Sequence, residues 1–239
     1  FSPSIQHGTT TVVLGNCGVG FAPLARNTQD EQQRLIRLME GVEDIPGVAL
    51  AEGVKFNWTD FPSYMNALDA MPHSLDYACL VPHDPLRMAV MGERALAQEA
   101  ATVEDCAQMQ TLLKQALKAG AAGFSTGRSD NHRTSRGEWT PASEAGDAEL
   151  NALAAAFKDA QHGVIQLVND FDVLRGATHK DDTAKLRFNA EFSRFKQMAQ
   201  ISARPLSMTW LQRDPGGIQW QWLAQAVEQC AAEGLPMYM

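Results

Sequence analysis

Between residues 9 and 14 the chain reads Thr-Thr-Thr-Val-Val-Leu, a β-branched run too apolar to alternate, which predicts a strand buried on both faces. The run empties into Gly15-Asn-Cys-Gly-Val-Gly20, whose glycines allow a tight turn and a close approach to a ligand or to another element. Cys17 is therefore expected at the C-terminal end of a strand, where α/β enzymes place metals and substrates. Helical and strand periods then alternate. Residues 28–39 predict a helix with Thr28 as its cap and Glu31 at capping-box spacing. Residues 43–57 read as loop, 61–70 as a short helix closed by Pro72, and 77–82 as the second strand. A long helix spans 101–119, with Thr102 as N-cap, Asp105 in its first turn and Gly120 at its end. The third strand, 121–125, leads into a polar loop over 126–141 that is long enough to carry function. Helix 145–160, strand 163–168, helix 185–201 and strand 205–210 keep the beat. After a loop over 212–217 comes a helix at 218–232, and 235–239 read as a sixth strand.

Six strands separated by helices imply a parallel sheet with right-handed crossovers and helices outside it. The predicted fold class is α/β, a (β/α)8 barrel of TIM type that is incomplete, since about six βα units are present where eight are needed. At 239 residues and 45% hydrophobic content the chain can bury a core of that size, and residues 1–239 are expected to form one partial barrel domain. A net charge of −8, from 28 acidic and 20 basic residues, argues against nucleic acid as the main partner. No apolar run reaches the roughly 18 residues of a membrane span and no signal peptide is visible, so no membrane partner is expected. Cys17, Cys79, Cys106 and Cys230 form no Cys-x-x-Cys pair, which favours reduced thiols and a cytoplasmic setting. Neither a Gly-rich phosphate loop ending in Gly-Lys-Ser/Thr nor a Gly-x-Ser-x-Gly elbow occurs, which disfavours nucleotide hydrolysis and serine-nucleophile chemistry.

Four segments in order, GTTTVVLGNCGVGFAP (8–23), LMEGVEDIPG (38–47), VPHDPLRMAVMGERA (81–95) and AGAAGFSTGR (119–128), together resemble the N-acyl-D-amino-acid deacylases of the amidohydrolase superfamily. Beyond about residue 160 the likeness rests mainly on the βα rhythm. The resemblance implies a (β/α)8 barrel beside a small β-sandwich that is absent from this chain. It also implies zinc-assisted hydrolysis of the amide joining an acyl group to a D-amino acid. On that pattern the chain starts just after barrel strand 1 and stops within strand 7. The family's His-x-His pair would then precede Phe1 and its catalytic aspartate would follow Met239, so no catalytic residue is assigned within the chain. Cys17 matches the family's cysteine ligand for zinc; the alternative is a buried small residue beside glycines. The family's histidines on strands 5 and 6 have no counterpart in GVIQLVND (163–170) or PLSMTWLQ (205–212), which points to a divergent branch with a changed metal site.

His83 and Arg87 follow the second strand directly and are expected to reach the mouth of the sheet, Arg87 as a forked partner for a substrate carboxylate. The alternative is a structural salt bridge from Arg87 or Arg94 to Glu93. The stretch STGRSDNHRTSRGE (125–138) gathers Arg128, His132, Arg133 and Arg136 in one loop, suited to an anionic N-acyl amino acid or else to plain solvation. The candidate substrate-binding residues are thus His83, Arg87, Arg128 and His132, with Cys17 as metal ligand, zinc as cofactor and a small N-acyl amino acid as partner. Asn169, Asp170 and Asp172 read as turn or cap residues, or as oxygen ligands in place of a lost histidine. His162 is expected at the opposite end of the sheet, and Trp220 and Leu223, three apart, as core packing. Two open strand edges invite self-association. The competing functional readings are a non-catalytic barrel relative kept as a binding module, and an enzyme of the same fold working without metal.

Overall fold

The computed structural model describes residues 2–239. A short helix α1 (Ser2–Gln6) precedes strand β1 (Thr11–Leu14). Helix α2 (Gln29–Glu43) opens on Thr28, whose hydroxyl accepts from the Glu31 N–H while the Glu31 carboxylate accepts from the Thr28 N–H, closing the capping box legible in the sequence. Helices α3 (Gly47–Gly53) and α4 (Phe61–Asp69) complete the first crossover. The α3 helix corrects the expectation of loop throughout 43–57: the Glu40 carboxylate accepts from the Gly47 N–H and supplies the partner its first turn lacks.

Strand β2 (Asp76–Pro82) runs straight into α5 (His83–Met91) and α6 (Glu93–Leu96), a helical stretch beyond the elements expected from the sequence pattern. Pro85 looks like a breaker there, but it lies in the first turn of α5, where a missing N–H costs nothing. Helix α7 (Val103–Lys118) starts on the Thr102 and Asp105 capping box. Strand β3 (Gly123–Arg128), α8 (Asp147–Ala155), β4 (Val164–Asn169), α9 (Asp182–Ser202), β5 (Leu206–Met208), α10 (Gln219–Ala232) and β6 (Met237–Tyr238) follow.

All six strands pair in parallel in the unbroken order β1-β2-β3-β4-β5-β6. An order that never reverses keeps every right-handed crossover on one side, the winding of a barrel and not of a two-sided open sheet. Alternate residues therefore divide between a helix side and an inner face. Val81, Phe124, Leu167, Leu206 and Met237 face the helices and lie in one continuous buried cluster, with Leu14 packed on it. The register puts Val13, Leu80, Ser125, Gln166, Ser207 and Tyr238 on the inner face.

Val13 is 52% exposed and Tyr238 56%, since β1 and β6 do not pair with each other. This overturns the expectation that β1 is buried on both faces: its helix side is covered and its inner side is open. In the helix layer Trp222, not Trp220, is the core indole, buried 5.7 Å from the Phe188 ring, whereas Trp220 pairs with the exposed Trp210. Leu223 is buried as expected. His162 precedes β4, at the end opposite Cys17.

Candidate functional site

The turn leaving β1 carries Cys17 in a left-handed conformation at φ 62°, between Gly15 at 83° and Gly18 at 80°. A residue with a side chain costs about 1–2 kcal/mol there, and tertiary hydrogen bonds hold it in place. The Cys17 N–H donates to Gln166 Oε1 at 2.9 Å. The Gly18 N–H donates to Ser125 Oγ at 3.1 Å, and the Ser125 hydroxyl donates to the Gly15 carbonyl. Ser125 and Gln166 are cross-strand neighbours on the inner face, so β3 and β4 together pin the turn.

The backbones meet closely. A Cβ on Gly18 would stand 2.8 Å from the Gly127 nitrogen, and one on Gly127 only 2.3 Å from the Cys17 carbonyl oxygen, so neither position accepts a side chain. That same Gly127 Cβ point lies 3.2 Å from His132 Nδ1, so the imidazole approaches the backbone of the Cys17 turn. His132 Nδ1 is buried and has no hydrogen-bond partner among the described residues. Burial, and then the negative charge of Glu43, push the Cys17 thiol up to about 11. Burial also holds the His132 imidazole below its ordinary value, against the opposing charges of Glu43 and Asp170. Burial thus favours the neutral form of both groups.

His132 belongs to an ordered loop. Arg133 and Trp139 pair across it, with the guanidinium stacked 3.2 Å over the indole. The Thr134 N–H donates to the Glu138 carbonyl at 2.9 Å and the Ser135 N–H to the Arg37 carbonyl of α2 at 3.0 Å. On its other flank the Asp130 N–H donates to the Asp170 carboxylate at 2.6 Å, and Arg213 bridges Asp130 and Asp170 at 2.8 and 3.6 Å. Burial pushes the Asp170 carboxyl above its ordinary value. Asn169 and Asp170 accept from backbone N–H groups two residues on, the turn role expected of them, and Asp172 meets Arg187 at 3.4 Å.

His83 and Arg87 lie on the helix side of the sheet, 0% and 2% exposed, and do not reach the mouth. His83 bonds Thr126 Oγ1 through Nδ1 and Glu149 through Nε2, both at 2.9 Å. Arg87 donates to Glu149 at 2.9 Å and to the Pro141 carbonyl at 2.9 Å. Its ion-pair partner is Glu149 and not Glu93, which pairs with Arg34. Burial pushes the Glu149 carboxyl up, but the bonds and charges of His83 and Arg87 outweigh it and hold the group below its usual range. Between them Asp84, fully buried and pushed up to about 8 by that burial, accepts from the Ala142 N–H at 2.6 Å. The first turns of α5 thus hold β3 through Thr126 and the close of the β3–α8 loop through Pro141 and Ala142.

Arg128 also turns to the helix side, donating to Glu191 at 2.5 Å and to the Ala145 carbonyl at 2.7 Å. It edges a polar recess of about 190 Å³ shared with Asp130, Asp170 and Arg194. Of the five residues singled out from the sequence, then, His132 lies beside the backbone of the Cys17 turn, His83 and Arg87 form a separate cluster, and Arg128 stands in a third place. Sequence reasoning missed Ser125, Gln166 and Glu149. The first two carried a signal, polar groups at same-face positions of otherwise apolar strands. Glu149 carried none, since its partner His83 lies 66 residues away.

Zinc takes thiolate and imidazole donors, and Cys17 with the unpartnered His132 offers one of each. The inward positions of β4 and β5 are Val164, Gln166, Val168 and Ser207, without an imidazole. Among the described residues no three of His, Cys, Asp and Glu stand close enough together to hold a metal ion. The described residues therefore do not by themselves fit a four-coordinate zinc site.

The Amidohydrolase family model matches residues 1–239. D-aminoacylase of Alcaligenes xylosoxydans xylosoxydans is 39% identical over 126 residues, covering 53% of this chain and 22% of that protein. Among solved structures, a crystal structure of D-aminoacylase is similar with a TM-score of 0.65 at 26% identity, over 98% of this chain and 42% of that one. The N-acyl-D-glutamate deacylase of Bordetella bronchiseptica, complexed with zinc and a phosphonate mimic of the tetrahedral intermediate, gives 0.62 at 25% identity over 98% and 41%. The chain spans less than half the length of each of these proteins. Its six sequential parallel strands correspond to part of their barrel, and by the match over its whole length the chain belongs to the amidohydrolase family.

Proposed function

We propose that the full-length protein hydrolyses the amide of N-acyl-D-amino acids, releasing a carboxylate and the free D-amino acid. The observation that carries this reading is the Cys17 turn, a left-handed thiol-bearing corner pinned by Ser125 and Gln166 at the C-terminal end of a parallel sheet. Relatives named for D-aminoacylase and N-acyl-D-glutamate deacylase activity support the substrate class. In this reading Cys17 is a zinc ligand. Zinc bound there would polarise the scissile carbonyl and make a bound water acidic enough to attack at neutral pH. Ser125 and Gln166 keep Cys17 in its left-handed turn. His83, Arg87 and Arg128 bear on the substrate through the loop and helices they brace, and not by direct contact. A cytoplasmic setting goes with four free cysteines, and no described helix is long and apolar enough to cross a membrane. Self-association through the open edges of β1 and β6 belongs to the same reading.

The test is Cys17→Ala in the full-length protein. Alanine meets the left-handed φ as cysteine does, so the melting curve should be kept while hydrolysis of N-acetyl-D-amino acids falls at least about 100-fold, beyond the loss seen for residues that only support a ligand. Turnover equal to that of the parent would overturn the assignment.

A further inference from the structure

We propose that Arg213 is a positioning residue: from the loop after β5 it ties the loops after β3 and β4 together through Asp130 and Asp170, and the wall of the mouth so formed sets how well the substrate binds. The inference rests on the deacylase reading given above. Three long connections leave the sheet at its C-terminal end, residues 129–146 after β3, 170–181 after β4 and 209–218 after β5, the end at which barrels gather their substrates. They converge on one carboxylate. Asp170 follows β4 directly and is buried. It accepts from the Asp130 N–H of the first loop at 2.6 Å and from the Asp172 N–H of its own loop at 3.1 Å. Arg213 arrives from the third loop with its side chain 11% exposed, 3.6 Å from the Asp170 carboxylate, and donates to the two Asp130 oxygens at 2.8 and 3.1 Å.

Among the described residues Arg213 alone forms an ion pair with either acid. The neighbouring cations are engaged elsewhere, Arg187 with Asp172, Arg175 with Asp214, and Arg128 and Arg194 with Glu191. Burial pushes the Asp170 carboxyl up, so its charged form depends on the guanidinium beside it. Arginine suits the task because its planar fork serves two carboxylates at once, where lysine is a point charge. One residue on, the Asp214 carboxylate accepts from the Gly176 N–H at 3.0 Å and seconds the tie between the second and third loops. At the foot of the third loop the Trp210 indole donates to the Trp220 carbonyl at 3.1 Å. A loop without such ties samples many conformations, and a substrate that needs the assembled wall then binds more weakly in proportion to the time the wall is undone.

The experiment uses the full-length protein with N-acetyl-D-amino acids as substrates. Arg213→Gln should raise KM at least about fivefold while kcat stays within about twofold, the mark of lost binding and not of lost chemistry. Arg187→Ala removes the same charge from an exposed pair nearby and should leave KM within about twofold. Asp130→Asn should raise KM in the same way by a smaller factor, and serves where Arg213→Gln fails to fold; joined to Arg213→Gln it should raise KM no further, since both side chains serve one tie. Hydrogen exchange read by mass spectrometry needs no turnover: peptides covering 129–138 and 170–178 should exchange at least about fivefold faster in Arg213→Gln, with those of α7 unchanged. With an active wild type, an unchanged KM, an equal rise in Arg187→Ala or loops that exchange as before would overturn this proposal and leave the deacylase reading standing. No turnover by wild type would overturn that reading, and with it the role of Arg213 in substrate binding.

Discussion

Asp84 is a carboxyl wholly enclosed at the start of α5, and burial pushes it up to about 8 from an ordinary 3.8. Between those values the native state keeps a proton that the unfolded chain has lost, so stability falls as pH rises through the window and the full penalty applies above about pH 8. Asparagine at this position keeps an acceptor for the Ala142 N–H and cannot ionise. In urea denaturation, Asp84→Asn should gain on wild type steadily from pH 5 to pH 8; a difference that does not change with pH would contradict the burial argument. Single residues differed in how far the sequence exposed them. Cys17 was legible because a strand-to-glycine transition fixes where the chain turns. His132 was visible merely as one polar residue in a cationic loop, since its relation to Cys17 depends on Gly127 letting two backbones touch. His83 and Arg87 stood out, but a strand exit does not say which side of the sheet a following helix turns its first residues toward.

At the scale of elements, α5 is the brace of the loop that carries His132. Its grip depends on Glu149, 2% exposed, with its charge met by His83 and Arg87. Breaking a buried pair strands the remaining charge, so Arg87→Ala should lower the unfolding free energy by about 3–5 kcal/mol, and adding Glu149→Gln should restore part of it. A loss of about 0–1 kcal/mol, the size of an exposed pair, would contradict this view of the cluster. Helices α2 and α7 were legible to the residue at their starts because capping boxes are local chemistry. Helices α3 and α5 were not, because proline at their openings looks like a break until the first turn is known to tolerate it.

For the molecule as a whole, the number and order of the strands followed from βα alternation and handedness, and the sheet runs β1 to β6 without reversal. The burial of β1 did not follow, because a run such as TTTVVL states that a strand is apolar without stating which faces find cover. Val13 and Tyr238 show that the inner face is open at both edges. The polar inner-face pair Ser125 and Gln166, the Gly127 contact and the turn they hold make the mouth of this sheet the place where chemistry is expected. The most direct measurement is the release of free amino acid by the full-length protein from paired N-acetyl-D- and N-acetyl-L-amino acids under identical conditions. Turnover of the D-series with the L-series left intact is the expected result; no turnover of either, or equal turnover of both, would contradict the proposed function.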